Sequence, residues 1–166
     1  VKPQNYSGYI EIRSELDGNH INDGVARYRS LNQNHLEQIR EGAEDDLQYV
    51  EVKTTRSGIH VAAAAKISAE INKKPVSVEY HHQTENGRAV TVIGAQTGNK
   101  GSFSLIKTTA LYRSDDKDVD NALEAAIGKA RGLGEFTDLL EESKNAWSEI
   151  WKKVDIEVDG DRLAQK

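Results

Sequence analysis

The hydrophobic pattern of this 166-residue chain changes period once, near Ser114, and that change limits the fold more than any other feature of the sequence. Up to Tyr112 apolar residues tend to recur at every second position; beyond Ser114 they recur at i, i+3, i+4 and i+7. Period two marks strands with one buried face, and period 3.6 marks amphipathic helices. Long strands that follow one another without intervening helices pair antiparallel. The order therefore predicts a mainly β chain with a C-terminal α part: an antiparallel β-sandwich followed by two amphipathic helices.

The first strand is expected where Tyr6, Gly8, Ile10 and Ile12 alternate with Ser7, Tyr9, Glu11 and Arg13, ending at an Asp17-Gly18 turn. A hairpin is expected over 47–69. Val50, Val52 and Thr54 share one face, Arg56-Ser57-Gly58 supplies the turn, and Ile59, Val61, Ala63, Ala65 and Ile67 share the returning face. The four alanines at 62–65 would suit a helix, but their β-branched neighbours and the alternation favour a strand. A second hairpin has Val76, Val78, Tyr80 and His82 as one arm, Asn86-Gly87 as the turn and 89–93 as the other arm. Residues 96–101 are expected to be a loop, and 103–112 a further strand.

In the helical part, Val119, Ala122, Leu123, Ala126, Ile127 and Ala130 form one stripe, with Asp118 as the expected N-cap and Gly132 and Gly134 as the stop. Phe136, Leu139, Leu140, Trp147, Ile150, Trp151 and Val154 form a second stripe. Thr137 is its expected N-cap, and Glu149 and Lys153 are an expected i,i+4 pair. Two such stripes each need a surface to dock on.

Composition removes whole classes of function. With 22 basic and 27 acidic residues the net charge is −5, which argues against a broadly basic nucleic-acid surface. There is no cysteine, so disulfides, zinc–thiolate sites and thiol nucleophiles are impossible. The longest apolar runs, such as 59–65, are far too short to span a bilayer as a helix. No charged-then-apolar leader opens the chain. A cytoplasmic protein with neither membrane nor nucleic acid as partner is expected, and the Asn5-Tyr6-Ser7 sequon is taken as chance. Methionine is absent even at position 1, and the chain ends in mid-pattern at Gln165-Lys166, so a piece of something longer is expected.

No motif assigns a catalytic residue, a substrate-binding residue, a cofactor or a metal. Gly94 to Gly101 is glycine-rich, but Asn99 separates Gly98 from Lys100 and a strand follows, so it lacks the P-loop spacing and helix. Asp155, Glu157, Asp159 and Gly160 begin like a calcium loop, but Lys166 stands where its bidentate acid is required. His81 and His82 are adjacent and point to opposite faces of a strand, and His20, His35 and His60 show no ligand spacing. No Gly-x-Ser-x-Gly elbow supports a Ser-His-Asp set. The acidic runs at 44–46 and 115–116 are expected to be solvated loops. Trp147 and Trp151, at i,i+4, are expected to pack rather than to stack on sugar.

Two segments carry a resemblance. Trp147 and Trp151, followed by Asp155, Ile156, Val158, Gly160, Asp161 and Gln165, resemble the linker of glycoside hydrolase family 65, with Val158 in place of the family's second Ile. Ser14, Leu16, Asp17, Gly18 and Asn22 resemble an early strand and turn of that family. Arg27-Tyr28-Arg29 and His35-Leu36 look like its kojibiose-phosphorylase branch.

The resemblance implies the following. Members are inverting phosphorylases or hydrolases of α-glucosides such as maltose, trehalose, kojibiose or nigerose. The phosphorylases use inorganic phosphate as co-substrate and release β-glucose 1-phosphate. An N-terminal super-sandwich and a helical linker precede an (α/α) barrel that holds the catalytic machinery, and a small C-terminal sheet domain follows. Residues 1–113 would then be an incomplete part of the sandwich, 114–154 the linker, and 155–166 the extended start of the absent barrel. Catalysis would lie outside this chain. Its implied partners are its own barrel and a second copy in a homodimer, with the disaccharide bound only by the parent enzyme. The alternative is a stand-alone module, either binding carbohydrate through Tyr80, Tyr112, Trp147 and Trp151 or binding another protein through the helix stripe.

Overall fold

A computed structural model describes residues 6–21, 33–98 and 101–156. Expectations that fall on Asn5, Asn22, Arg27 to Arg29, Asn99, Lys100 and residues 157–166 lie outside the described residues. The chain divides into two compact units, Val1–Gly132 and Leu133–Lys166.

The first unit contains, in order, β1 (Gly8–Asp17), β2 (Leu36–Glu44), β3 (Leu47–Thr54), β4 (His60–Ile71), β5 (Lys74–Val76), β6 (Tyr80–Glu85), β7 (Arg88–Thr97), β8 (Phe103–Arg113) and α1 (Ala122–Gly132). All pairings are antiparallel. One sheet has the order β1-β7-β6. The other is β2-β3-β4-β5, with β8 also on β4. β3 and β5 occupy successive stretches of one edge of β4, and β8 runs along the other from Val61 to Ile71. The two sheets meet over Ile67, Ala69 and Phe103 from one side and Ile93 and Ala95 from the other. This is the sandwich that the alternation predicts, and the second unit adds the second helix, α2 (Phe136–Val154).

The central strand explains the alanine run. Ala65, Ile67 and Ala69 point into the sandwich, while Ala62 and Ala64, on the opposite face, are also fully buried. α1 packs on β4, β8 and β3. It buries Ala122, Leu123, Ala126 and Ala130, and small side chains on both partners allow a close approach. Alanine, a helix former, is extended here because its strand lies in the middle of three layers.

Both hairpin turns form as expected. Gly58 has φ 68°, and Asn86 and Gly87 have φ 50° and 77°, as a type I′ turn requires. Gly18, after β1, donates to the Gly87 carbonyl at 2.9 Å. A Cβ on Gly18 would lie 2.8 Å from Val52 Cγ1, so this turn presses against the opposite sheet.

Several expectations need correction. The arm from Val76 to His82 is not one strand: β5 pairs with β4, β6 pairs with β7, and residues 77–79 carry the chain from one sheet to the other. Val76, Val78 and Tyr80 nevertheless all pack against the same core cluster, so one apolar alternation serves two sheets. β7 continues to Thr97, into the expected loop. β2 has no counterpart among the expected strands, because its inward positions are weakly apolar and Ile39 sits at a register slip between Gln38 and Arg40.

Asp118 does not cap α1. It has φ 62°, and the helix begins later, where Asn121 Oδ1 accepts the N–H groups of Leu123 at 3.0 Å and Glu124 at 3.1 Å. Thr137 does not cap α2. Glu135 is the capping residue, without a side-chain hydrogen bond. Glu149 pairs with Lys152 at i,i+3 rather than with Lys153.

Candidate functional site

Polar groups gather around His82, around His60, and around His20 with His35. The first lies between the sheets. Ser14, Thr91 and His82 stand in one row across β1, β7 and β6. His82 Nδ1 lies 3.2 Å from Thr91 Oγ1, and the His82 ring stacks parallel to Tyr80. From the other sheet, fully buried Gln48 donates through Nε2 to Ser14 Oγ at 3.1 Å, and its Oε1 has no partner among the described residues. Nearby, Lys107 reaches across to donate to the Glu15 carbonyl at 2.8 Å, and burial pulls its ammonium pKa down, opposed by the Glu15 charge. Tyr80 donates to the Ile67 carbonyl at 3.0 Å, and burial, then the Asp46 charge, pushes its phenol pKa up. These groups tie the sheets together.

The second place is a depression of about 410 Å³ between β2, β3, β4 and the start of α1. His60 Nδ1 lies 2.8 Å from Glu51 Oε1 there, and Ser114 is close by. Among the described residues this is the nearest approach to a Ser-His-acid set. Ser114 Oγ accepts the main-chain N–H of His60 at 3.1 Å, and among the described residues no hydrogen bond joins its hydroxyl to the imidazole, as a nucleophile and base would need.

The third is a depression of about 360 Å³ that brings His20 and His35 together with Thr54 and Arg56. Their closeness was not legible in the sequence, because it depends on the segment after β1 lying against β2, where Gln38 bonds Gly18 and Asn19. His81 lies 3.8 Å from exposed Glu79 and far in bonding terms from His82, whose partner is Thr91. Among the described residues no three His, Asp or Glu side chains gather as metal ligands would.

The acidic runs are structural. Asp45, at φ 51°, makes the tight β2–β3 turn. Asp116 accepts the Arg113 main-chain N–H at 2.8 Å, which with the Arg113 guanidinium holds its carboxyl below the usual range. Tyr80 is part of the core periphery and Tyr112 lies in the β8 ladder beside Ala62, so neither is a free platform.

α2 is different in kind. Its 19 residues contain no buried side chain. Phe136, Trp147, Ile150, Trp151 and Val154 are all about half exposed or more, with the tryptophans at 57% and 56%. No helix among the described residues is long and apolar enough to cross a membrane. An amphipathic helix with an exposed aromatic stripe offers an apolar face on which another surface can pack.

Comparison with known proteins agrees with the architecture. Residues 1–150 match the family model described as the glycosyl hydrolase family 65 N-terminal domain. An uncharacterised glycosyl hydrolase of Mycobacterium tuberculosis is 28% identical over 96% of this chain, which covers 12% of that protein. A kojibiose phosphorylase of Halothermothrix orenii is 28% identical over 99% of the chain, and an α,α-trehalose phosphorylase of Thermoanaerobacter brockii is 25% identical over all of it. The chain covers 22% of each. A solved structure described provisionally as a kojibiose phosphorylase from the human microbiome superposes with a TM-score of 0.61 at 13% identity, over 87% of this chain and 18% of that one, which supports the fold. The chain thus spans between about an eighth and a quarter of the curated relatives it matches, and across nearly its whole length it belongs to glycosyl hydrolase family 65, as an N-terminal domain.

Proposed function

We propose that this chain is the non-catalytic sandwich and linker portion of an α-glucoside phosphorylase or hydrolase. In this reading residues 1–113 are sandwich, 114–154 linker, and 155–166 lead into an (α/α) barrel that carries the chemistry. The observation that carries it is the family match over 1–150 in a chain that covers only 12% to 22% of its relatives. The parent reaction is inverting phosphorolysis. Inorganic phosphate attacks the anomeric carbon of a glucose-containing disaccharide, the glycosidic C–O bond breaks with its oxygen protonated, and β-glucose 1-phosphate leaves with a free sugar. Kojibiose and trehalose are the substrates named for two relatives, and they are the first to test. The apolar face of α2 serves interdomain packing against the barrel. The assembled enzyme is cytoplasmic and a homodimer.

The test is phosphorolysis of kojibiose, trehalose, maltose and nigerose. The 166-residue chain is expected to release no glucose 1-phosphate, and the protein encoded by a reading frame continuing past Lys166 is expected to release it from one of them. Robust turnover by this chain alone would refute the proposal. Sedimentation of the longer protein checks the dimer.

A further inference from the structure

The outer face of the three-stranded sheet carries an arrangement that neither the core nor α2 uses. Tyr9 of β1 lays its ring across Gly94 of β7: a Cβ at Gly94 would collide with the phenol end of the ring and lie 3.0 Å from its Cε1. The hydroxyl end of the ring thereby rests over Gly94 while the residue as a whole stays 56% exposed. Four residues along β1, about 13 Å at the usual strand rise, the same face opens into a depression of about 440 Å³. Its floor is Val90, only 4% exposed although it points away from the core, and its walls include Arg13, Gln83, Glu85 and Arg88.

These walls are held in place. Arg13 pairs with Glu15 at 3.1 Å, and Arg88 pairs with Asp17 at 3.0 Å and Glu15 at 3.5 Å. Each guanidinium has five donors, so these contacts fix it and leave donors over. The Gln83 amide has no partner among the described residues. Positive charge on Arg13 and Arg88 is balanced by Glu15, Asp17 and Glu85, so the face selects neither a bare anion nor a cation. An exposed aromatic ring, with fixed donors and amides along the same face, complements a molecule with an apolar ring face and hydroxyls at its edges. The spacing between the two features exceeds one sugar ring.

We propose that the outer face of β1, β7 and β6 binds a neutral oligosaccharide, one pyranose stacked on Tyr9 and another hydrogen-bonded by Arg13, Gln83 and Arg88 above Val90. This site belongs to the sandwich alone and needs no catalytic part, so its failure would leave the phosphorylase reading untouched.

The test is titration of the ¹⁵N-labelled 166-residue chain with maltotriose, and in a separate arm with inorganic phosphate, followed by amide chemical shifts. Saturable shifts are expected at 9–13 and 83–90 with a Kd of order millimolar, and none with phosphate. Tyr9→Ala and Gln83→Ala are each expected to weaken binding about tenfold or more, while Tyr9→Phe retains it. Unchanged core amides show that each variant is folded, and Gln83→Ala, on the exposed side of β6, decides the matter if Tyr9→Ala does not fold. The proposal is overturned if maltotriose gives no saturable shift by about 20 mM, if phosphate gives the same shifts, if the shifts confine themselves to the α2 tryptophans, or if Gln83→Ala binds as tightly as the original chain.

Discussion

Gln48 is a fully buried polar link between the two sheets, and it is half satisfied: Nε2 donates to Ser14, while Oε1 has no partner among the described residues. Truncation strands the Ser14 hydroxyl and opens a cavity, so Gln48→Ala is expected to cost about 1–3 kcal/mol. The double replacement Ser14→Ala with Gln48→Met removes both polar ends at similar volume and is expected to be neutral or stabilising; urea midpoints of the single and double variants check the difference. Asp17 governs a pH effect. The Asn19 main-chain N–H, 2.8 Å from its Oδ1, and then Arg88 hold its carboxyl pKa below the ordinary 3.8. A depressed carboxylate contributes stability that is present above the unfolded pKa and lost as pH falls through the folded one. Acid unfolding below about pH 4 is therefore expected to be shallower in Asp17→Asn, with the loss already present at neutral pH, as thermal melts across pH would show. Asp17 was visible in the sequence as the turn residue before Gly18, and Ser14 as one of the residues that resemble the family's early strand. Gln48 stands two residues before Val50, on the face that Val50 and Val52 turn inward, so alternation places it inside; what no local stretch shows is that Ser14 of the other sheet meets it there.

Among the elements, the β6–β7 hairpin and α1 show opposite degrees of local control. Asn86-Gly87 determines its own turn, since both residues sit at positive φ. Gly87→Ala is expected to cost about 1 kcal/mol or more, because the added Cβ takes a strained φ and runs into the Gln38 side chain; the melting temperature reads it. The start of α1 is not locally determined. Asp118 and Asn121 are both good cap residues, and the helix chooses Asn121 because Ala122 and Leu123 are the first side chains that the sheet buries. Asn121→Ala is expected to cost about 1 kcal/mol and Asp118→Ala less than half of that, as chemical denaturation can measure. The alanine run of β4 makes the same point: its propensity is helical, and the layers on either side of it decide otherwise.

For the whole molecule, the question is what covers α2. Its stripe is exposed along the length of the helix, and in a longer protein the proposed occupant is the catalytic barrel. Trp147→Ala with Trp151→Ala is expected to reduce binding of a hydrophobic dye by the 166-residue chain. In the longer enzyme the same pair is expected to lower stability by several kcal/mol, since two large aromatic contacts would be lost; fluorescence and thermal melts distinguish the two effects. The candidate surfaces of the sandwich arise only at this scale. Tyr9, Arg13, Gln83 and Arg88 lie on three strands, and their assembly on one face follows from the register of β1 and β6 on β7.

The sequence by itself determined the class of most elements, though not of β2: alternation made strands, the 3.6 period made helices, Asn-Gly and Ser-Gly made turns, and the tail and early-strand residues pointed to the family. Those signals act between residues a few positions apart, so a linear chain displays them. The tertiary structure alone decided which sheet each strand joins, that the arm from Val76 to His82 divides between two sheets, that Gln48 faces Ser14, and that α1 starts at Ala122. Each of these turns on burial against a partner distant in the chain, and the free energy of that contact is absent from any local stretch of sequence.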